Sequence, residues 1–292
     1  MITSTIAQGL LWSILGLGIF LTYRILNFTD LTTEGSFPLG GVVCVTAITH
    51  GIHPIIATLL GMLAGMLAGL TTGLLYTKGK IPVILSGILV MSALNSVMLF
   101  IMRTPNLSLL NQSKLFDILD DWHLPPYFNV IVIGLFIVIL VIFLLMTFLN
   151  TDLGQAYIAT GDNPVMAKSL GIYTDRMTIL GLVISNGLIG LSGALIAQNE
   201  GYADVNKGIG VIIIGLASII LGELLFGELT MLERFIAIVV GSVIYQLLIL
   251  IVIKLSLDTT YLKFYSSVIL GVCLIIPEIS RKIKQKQGGH RV

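Results

Sequence analysis

Long apolar segments separated by short polar ones are the feature of this sequence that most limits its fold. A membrane-spanning helix needs about 20 mostly apolar residues, and the chain of 292 residues contains many such segments. Continuous apolar runs favour helices over the ten-residue alternation of an outer-membrane barrel. The sequence therefore predicts an all-α integral membrane protein with nine transmembrane helices, at residues 5–22, 36–50, 54–76, 81–103, 128–149, 177–197, 209–226, 235–253 and 266–280.

The composition excludes several classes of soluble protein. Hydrophobic residues make up 56% of the chain and charged residues 11%, whereas soluble domains carry about 25% charged residues. The net charge of +1 offers no basic surface to nucleic acid. Cys44 and Cys273 both lie in apolar segments, which argues against a disulfide framework and a thiolate metal site. We expect a single transmembrane domain over residues 1–280 that holds no metal.

The distribution of basic residues predicts the orientation of the bundle. Cytoplasmic loops carry an excess of Lys and Arg, and the chain ends in a basic segment, Arg281-Lys-Ile-Lys-Gln-Lys286. An external N-terminus places this segment and most of the sixteen Lys and Arg residues in the cytoplasm. Residues 281–292 are therefore expected to form a cytoplasmic tail that contacts anionic membrane lipid.

Two polar segments that contain glycine interrupt the apolar pattern before the second and seventh spans. They comprise residues 27–37 and 198–208. In the predicted orientation the first segment faces the cytoplasm and the second faces the outside, so spans 1–4 and 6–9 run in opposite senses. Many transporters contain such inverted repeats, with the pathway at their interface. Two ordinary polar loops are the alternative interpretation.

Small and polar residues inside the spans predict helix packing and a transport pathway. Four glycines at four-residue spacing share one face of the third span, which allows another helix to approach closely; they are Gly61, Gly65, Gly69 and Gly73. Polar residues expected to line the pathway are Ser92, Asn95, Asn186 and Ser192, and hydrogen bonding between helices is the alternative. We identify no Asp or Glu in the middle of a span, which argues against an ion-coupled carrier.

The polar segment between the fifth and sixth spans, residues 150–176, predicts a short capped helix. Asn163 suits the N-cap, Pro164 the first helical position and Gly171 the position just past the end. These residues define a helix over 164–170, preceded by a second short element around 155–159. Val165, Met166, Ser169 and Leu170 give the helix a mildly apolar face. A capped helix with such a face, held between two spans, is suited to docking on another protein.

The segment Gly154-Gln-Ala-Tyr-Ile-Ala-Thr-Gly-Asp-Asn-Pro-Val-Met-Ala-Lys-Ser-Leu-Gly-Ile172 resembles the coupling segment of ABC importer permeases of the branched-chain amino acid and ribose type. Leu26-Asn27-Phe28 followed by Glu34-Gly35 resembles the family's entry motif, and Lys207-Gly208 through Gly222-Glu223 resembles an uncharacterised branch of it. The resemblance covers about residues 10–278. At residues 161–162 this chain has Gly-Asp where many relatives carry a charged or small pair.

The resemblance implies a permease subunit of the bacterial cytoplasmic membrane with no catalytic residues and no cofactor. Its partners would be a second permease copy, an external substrate-binding protein and cytosolic ATPase subunits, which bind the ATP. Carried over to this sequence, the ATPase-coupling segment would include Gly154, Ala156, Ala159, Asn163, Pro164, Ala167, Leu170, Gly171 and Ile172.

The sequence is compatible with more than one class of substrate. The resemblance implies an amino acid or a similar small solute, and the branch is associated with aromatic amino acids. A haem or tetrapyrrole is the alternative substrate, because His50 and His53 lie three residues apart in the turn before the third span. A secondary, ion-coupled carrier is the alternative from a different class of transporter.

Overall fold

The computed structural model describes residues 1–122, 125–227 and 229–254, together with residues 267, 268 and 271. Two short strands pair antiparallel, β1 (Asn106–Ser108) and β2 (Tyr202–Asp204). A π-helical turn, Leu21–Ile25, continues the first helix, and 3-10 turns cover Leu115–Trp122 and Val205–Gly208. The α-helices are α1 (Ile2–Phe20), α2 (Thr33–Thr49), α3 (Pro54–Thr77), α4 (Val83–Met102), α5 (Phe128–Leu149), α6 (Asp152–Asp162), α7 (Pro164–Ser169), α8 (Thr174–Glu200), α9 (Val211–Phe226) and α10 (Met231–Lys254).

The helices confirm the prediction of an all-α membrane protein but not the predicted count of nine spans. In the described ranges seven segments are long and apolar enough to cross a membrane: Ile2–Ile25, Pro54–Thr77, Val83–Met102, Phe128–Leu149, Thr174–Glu200, Val205–Phe226 and Met231–Lys254. Apart from residues 267, 268 and 271, the predicted ninth span, 266–280, lies outside the described residues. Cys273 and the predicted tail 281–292 also lie outside them. The described helices do not establish the predicted inverted repeat.

The second predicted span, 36–50, corresponds to α2, which is shorter than a typical membrane helix. Its 17 residues extend about 25 Å, less than the hydrocarbon thickness of a bilayer. Most of its side chains are buried, because α2 packs against α3, α4 and α8 rather than at the surface of the bundle. Pro38 lies inside α2, so the carbonyl of Glu34 has no amide donor from the next helical turn.

Helix α1 lies at the centre of the bundle and is contacted by α5, α8, α9 and α10. Almost all of its residues from Gly9 onward are buried. Three serine hydroxyls of the neighbouring helices donate hydrogen bonds to carbonyl groups of α1 at 2.7–2.9 Å. These bonds run from Ser185 to Gly18, from Ser192 to Leu11 and from Ser242 to Gly9. Hydroxyl groups on apolar helices need such partners because hydrocarbon supplies none.

The glycines of α3 lie where this helix contacts α8 and α2. A Cβ atom at Gly65 would overlap the carbonyl of Asn186, and one at Gly69 would overlap the carbonyl of Leu182. Gly61 faces Gly40 and Ala194, and Gly73 faces Ile179. The four-residue spacing therefore forms a groove into which the backbone of α8 fits.

Candidate functional site

The segment between α5 and α8 forms two short helices with well-defined caps. The Thr151 hydroxyl accepts a hydrogen bond from the Gly154 amide at 3.2 Å and begins α6. The Asn163 side chain accepts from the Met166 amide at 3.0 Å and begins α7, with Pro164 in the first position. The structure thus contains the predicted short helix, which ends at Ser169 rather than 170.

The end of α7 explains the glycine that follows it. Gly171 has φ +85°, a left-handed conformation that costs glycine little. Its amide donates to the Lys168 carbonyl and the Ile172 amide donates to the Ala167 carbonyl, both at 3.1 Å. This pair of bonds is a Schellman motif. It fixes the direction in which the chain enters α8.

One face of α7 packs on the bundle and the other is exposed. Of the residues that the resemblance assigns to ATPase coupling, Gly154 and Ala167 are buried, Ala156, Ala159 and Ile172 are half-buried, and Asn163, Pro164, Leu170 and Gly171 are exposed. Three apolar side chains of α7 and its C-cap residue are exposed: Val165 at 79%, Met166 at 59% and the C-cap Leu170 at 69%. No segment of the described chain covers these three residues, which we call the α7 apolar face.

Helix α6 holds the π-helical turn at the end of α1. The phenol of Tyr157 is buried and donates to the Leu21 carbonyl at 2.6 Å. The Asn27 side chain donates through Nδ2 to the Gly161 carbonyl at 3.2 Å, and a Cβ atom at Gly161 would overlap the Ile25 carbonyl. This close contact accounts for a residue without a side chain at position 161. Helix α6 and the turn that follows α1 are therefore joined by two hydrogen bonds and a close backbone contact.

Beyond the turn, the chain folds back into the bundle and buries a carboxylate. Asp30 is 3% exposed; it accepts from the Thr32 amide at 2.9 Å and from the Asn186 side chain at 2.7 Å. Asn186 in turn accepts from the Ser36 hydroxyl at 2.6 Å. Asn186 lies about 18 Å along α8, near the middle of that helix. This mid-depth carboxylate was not predicted from the sequence, because Asp30 lies in a polar segment outside the apolar runs.

The two polar segments predicted on opposite faces of the membrane meet inside the bundle. The Glu34 carboxylate accepts from the Gly210 amide at 3.0 Å, and a Cβ atom at Gly208 would overlap the Glu34 carbonyl. That carbonyl is the one that Pro38 leaves without a helical donor. The inner ends of the two segments are therefore in direct contact, next to the starts of α2 and α9.

The four residues predicted to line the pathway divide into two groups. Asn186 and Ser192 are fully buried and form hydrogen bonds to residues outside α8, as described above. Ser92 and Asn95 lie on an exposed face of α4 together with Ser96. Asn95 also lines a small cavity of about 50 Å³ with Glu34 and Asn206. Of the four residues, Ser92 and Asn95 are therefore the exposed ones.

The two histidines proposed for a ligand at the outer mouth take part in the turn between α2 and α3. The ring Nδ1 of His50 lies 2.7 Å from the Thr46 carbonyl oxygen. His53 accepts from the Ile55 amide at 3.4 Å and begins α3. Within the described ranges there is no group of three or more His, Cys, Asp or Glu residues that could hold a metal ion.

The seven long apolar segments of the described ranges define a multi-pass membrane protein. Over residues 1–277 the chain matches the family described as branched-chain amino acid transport system, permease component. The chain belongs to this family of ABC permeases.

Three relatives illustrate the range of the family. The chain is 42% identical over 97% of its length to the tyrosine transport system permease protein of Clostridioides difficile, covering 94% of that protein. It is 34% identical over 94% of its length to the uncharacterised protein RP368 of Rickettsia prowazekii, covering 95% of it. A 28% identical match to the autoinducer 2 import system permease protein LsrC of Photorhabdus laumondii covers 36% of this chain and 32% of that protein. No solved structure matches the chain.

Proposed function

We propose that this chain is the membrane subunit of an ATP-driven importer for an aromatic amino acid of the tyrosine type. The substrate is inferred from the relative named as a tyrosine transport permease, which aligns over 97% of this chain. In the proposal the protein lies in a bacterial cell membrane with its C-terminus in the cytoplasm. Two copies form the pathway, and an external binding protein delivers the substrate.

The α7 apolar face carries the coupling part of the proposal. Val165, Met166 and Leu170 are exposed on a helix whose opposite side is fixed by the buried Ala167. At the end of the bundle that carries α6 and α7, such a face suits the surface of a cytosolic ATPase subunit, which would bind the ATP. Closure of the ATPase pair would then move α6 and the π-helical turn, and so favour one permease conformation by differential contact.

Charge substitutions on the α7 apolar face test this function. We expect Met166→Glu and Leu170→Glu to abolish co-purification of the ATPase and to lower vanadate-sensitive uptake of radiolabelled tyrosine by about tenfold or more. Leu110→Glu is the matched control, because Leu110 is 78% exposed near β1, at the opposite end of the bundle. Thermal unfolding of all three variants should match that of the unmodified protein.

Two outcomes would contradict the proposal. One is ATPase binding that is retained in both α7 variants. The other is tyrosine uptake by the chain alone that an ionophore abolishes, which would identify an ion-coupled carrier that uses the buried Asp30.

A further inference from the structure

A basic cavity lies at the α6–α7 end of the bundle, apart from the α7 apolar face. Its volume is about 430 Å³, and it is bounded by the end of α3, the last residues of α7 and the start of α8. Lys78, Lys168 and Arg176 contribute three positive charges to its lining, and Asp175 contributes one negative charge. The ion pairs of the described residues, Arg24–Glu223 and Lys207–Glu200, use none of these basic side chains. The cavity therefore suits an anionic ligand.

The position of these charges corresponds to the boundary between hydrocarbon and water. Lys78 directly follows the last residue of α3, and Arg176 is the third residue of α8. Both helices are long and apolar enough to cross a membrane. The phosphate groups of lipids lie at this boundary, where each nearby basic residue attracts anionic lipid. Arg176 also lies over the ring of Tyr173, 4.7 Å from its centroid, and aromatic rings are common at this depth.

An apolar stripe on α3 leads from the interior of the membrane to the basic cavity. Leu63, Leu67 and Leu74 are exposed at 49%, 63% and 41%. Their spacing places them on the same face of α3 as Lys78. A free phosphate, or an acidic loop of a soluble protein, would not contact this stripe. An acyl chain joined to a phosphate in the cavity would contact it.

We propose that the basic cavity binds the headgroup phosphate of an anionic phospholipid, with one acyl chain along the leucine stripe of α3. Lys78 and Arg176 contact the phosphate from two membrane-spanning helices. Lys168 contacts it from α7. The bound lipid therefore links the short helix to the ends of α3 and α8. This assignment is independent of which solute the permease carries.

Native mass spectrometry of the full-length protein tests the site directly. The purified chain is offered phosphatidylglycerol and phosphatidylcholine with identical acyl chains. We expect one retained phosphatidylglycerol molecule and little phosphatidylcholine. Lys78→Gln and Arg176→Gln should each lower the bound fraction by about fivefold, the effect of one basic residue near a lipid surface. Lys80→Gln is the matched control, because it removes the same charge two residues away and Lys80 does not line the cavity; its effect should stay below about twofold.

A second pair of measurements separates the lipid from a free anion. Leu67→Ser should weaken phosphatidylglycerol binding, whereas Phe136→Ser, at an exposed site on α5, should not. Displacement of the lipid by an equal concentration of glycerol phosphate would assign the cavity to a soluble phosphate and overturn the proposal. Equal losses of bound phosphatidylglycerol in Lys78→Gln and Lys80→Gln would also overturn the proposal. They would indicate a general attraction of the lipid to positive charge rather than a site in the cavity.

Discussion

The Glu34 carboxylate accepts a hydrogen bond from the Gly210 amide at 3.0 Å, across 176 positions of sequence. This bond joins the first turn of α2 to Gly210, the N-cap residue of α9. Pro38 removes the donor that would satisfy the Glu34 carbonyl, and the backbone at Gly208 approaches that carbonyl. The start of α2 and the residues just before α9 are therefore held in close contact.

The contact at Gly208 predicts a large effect of a single methyl group. Gly208→Ala would place Cβ against the Glu34 carbonyl, so α2 and α9 must separate. We expect a lower Tm of the purified protein and loss of uptake. Gly210→Ala is the control, because no atom lies within 4 Å of its Cβ position and only the positive φ is unfavourable, at about 1 kcal/mol. Equal Tm values for the two variants would contradict the proposed close packing.

The Asp30–Asn186 pair predicts that an exchange of the two side chains is tolerated better than either single change. Asp30→Asn turns an amide towards the amide of Asn186, and Asn186→Asp brings two carboxylates together. Each single variant should lose about 1–3 kcal/mol of unfolding free energy, the cost of an unsatisfied buried polar group. In the double variant, Asp30→Asn with Asn186→Asp, the side chain at position 30 still accepts from the Thr32 amide. The side chain at position 186 still accepts from the Ser36 hydroxyl. The Tm of the double variant should therefore exceed that of both single variants.

A strictly additive result in this cycle would show that the two side chains do not interact. An intact Tm with lost uptake in Asp30→Asn would instead assign the negative charge a role in transport. The cycle thus separates a structural bond from a functional charge.

Local patterns in the sequence predicted most of the helices and the ends of α7. Apolar length locates a spanning helix to within a few residues, and Asn163, Pro164 and Gly171 mark α7 because capping depends on neighbouring backbone groups. The burial of Asp30 and the meeting of Glu34 with Gly210 were not predictable in this way. Both depend on how the chain folds back after the π-helical turn, which is decided by contacts distant in sequence. The pattern Asp30-Leu-Thr32 did carry a signal, since Asp commonly accepts a bond from the amide two residues on.

The hydrogen bond from Tyr157 to the Leu21 carbonyl predicts a stability change that depends on pH. Burial raises the pKa of the Tyr157 phenol above its ordinary value. A raised pKa in the folded state stabilises the fold at pH values below the unfolded pKa of about 10, and this contribution is lost as the pH rises further. Tyr157→Phe should lower the Tm at neutral pH and reduce its decline above pH 10. Tyr23→Phe, at an exposed site, should change neither the Tm at neutral pH nor its decline above pH 10. If the Tm of Tyr157→Phe declined above pH 10 as steeply as that of the unmodified protein, the alkaline loss of stability would not come from Tyr157.

The polar face of α4 predicts that this part of the helix contacts water. Ser92, Asn95 and Ser96 are exposed on one face of a membrane-spanning helix, and polar side chains in hydrocarbon are unfavourable without a partner. A pathway between two permease copies would supply water there. In a background with Cys44 and Cys273 replaced by Ala, Asn95→Cys and Ser92→Cys should react with a membrane-impermeant thiosulfonate. The rate should exceed that of Phe136→Cys on α5 by about tenfold or more, because the reaction needs a thiolate and hence water. Equal, slow rates at all three positions would mean that α4 faces lipid or a dry interface, and the pathway would then have to be sought elsewhere.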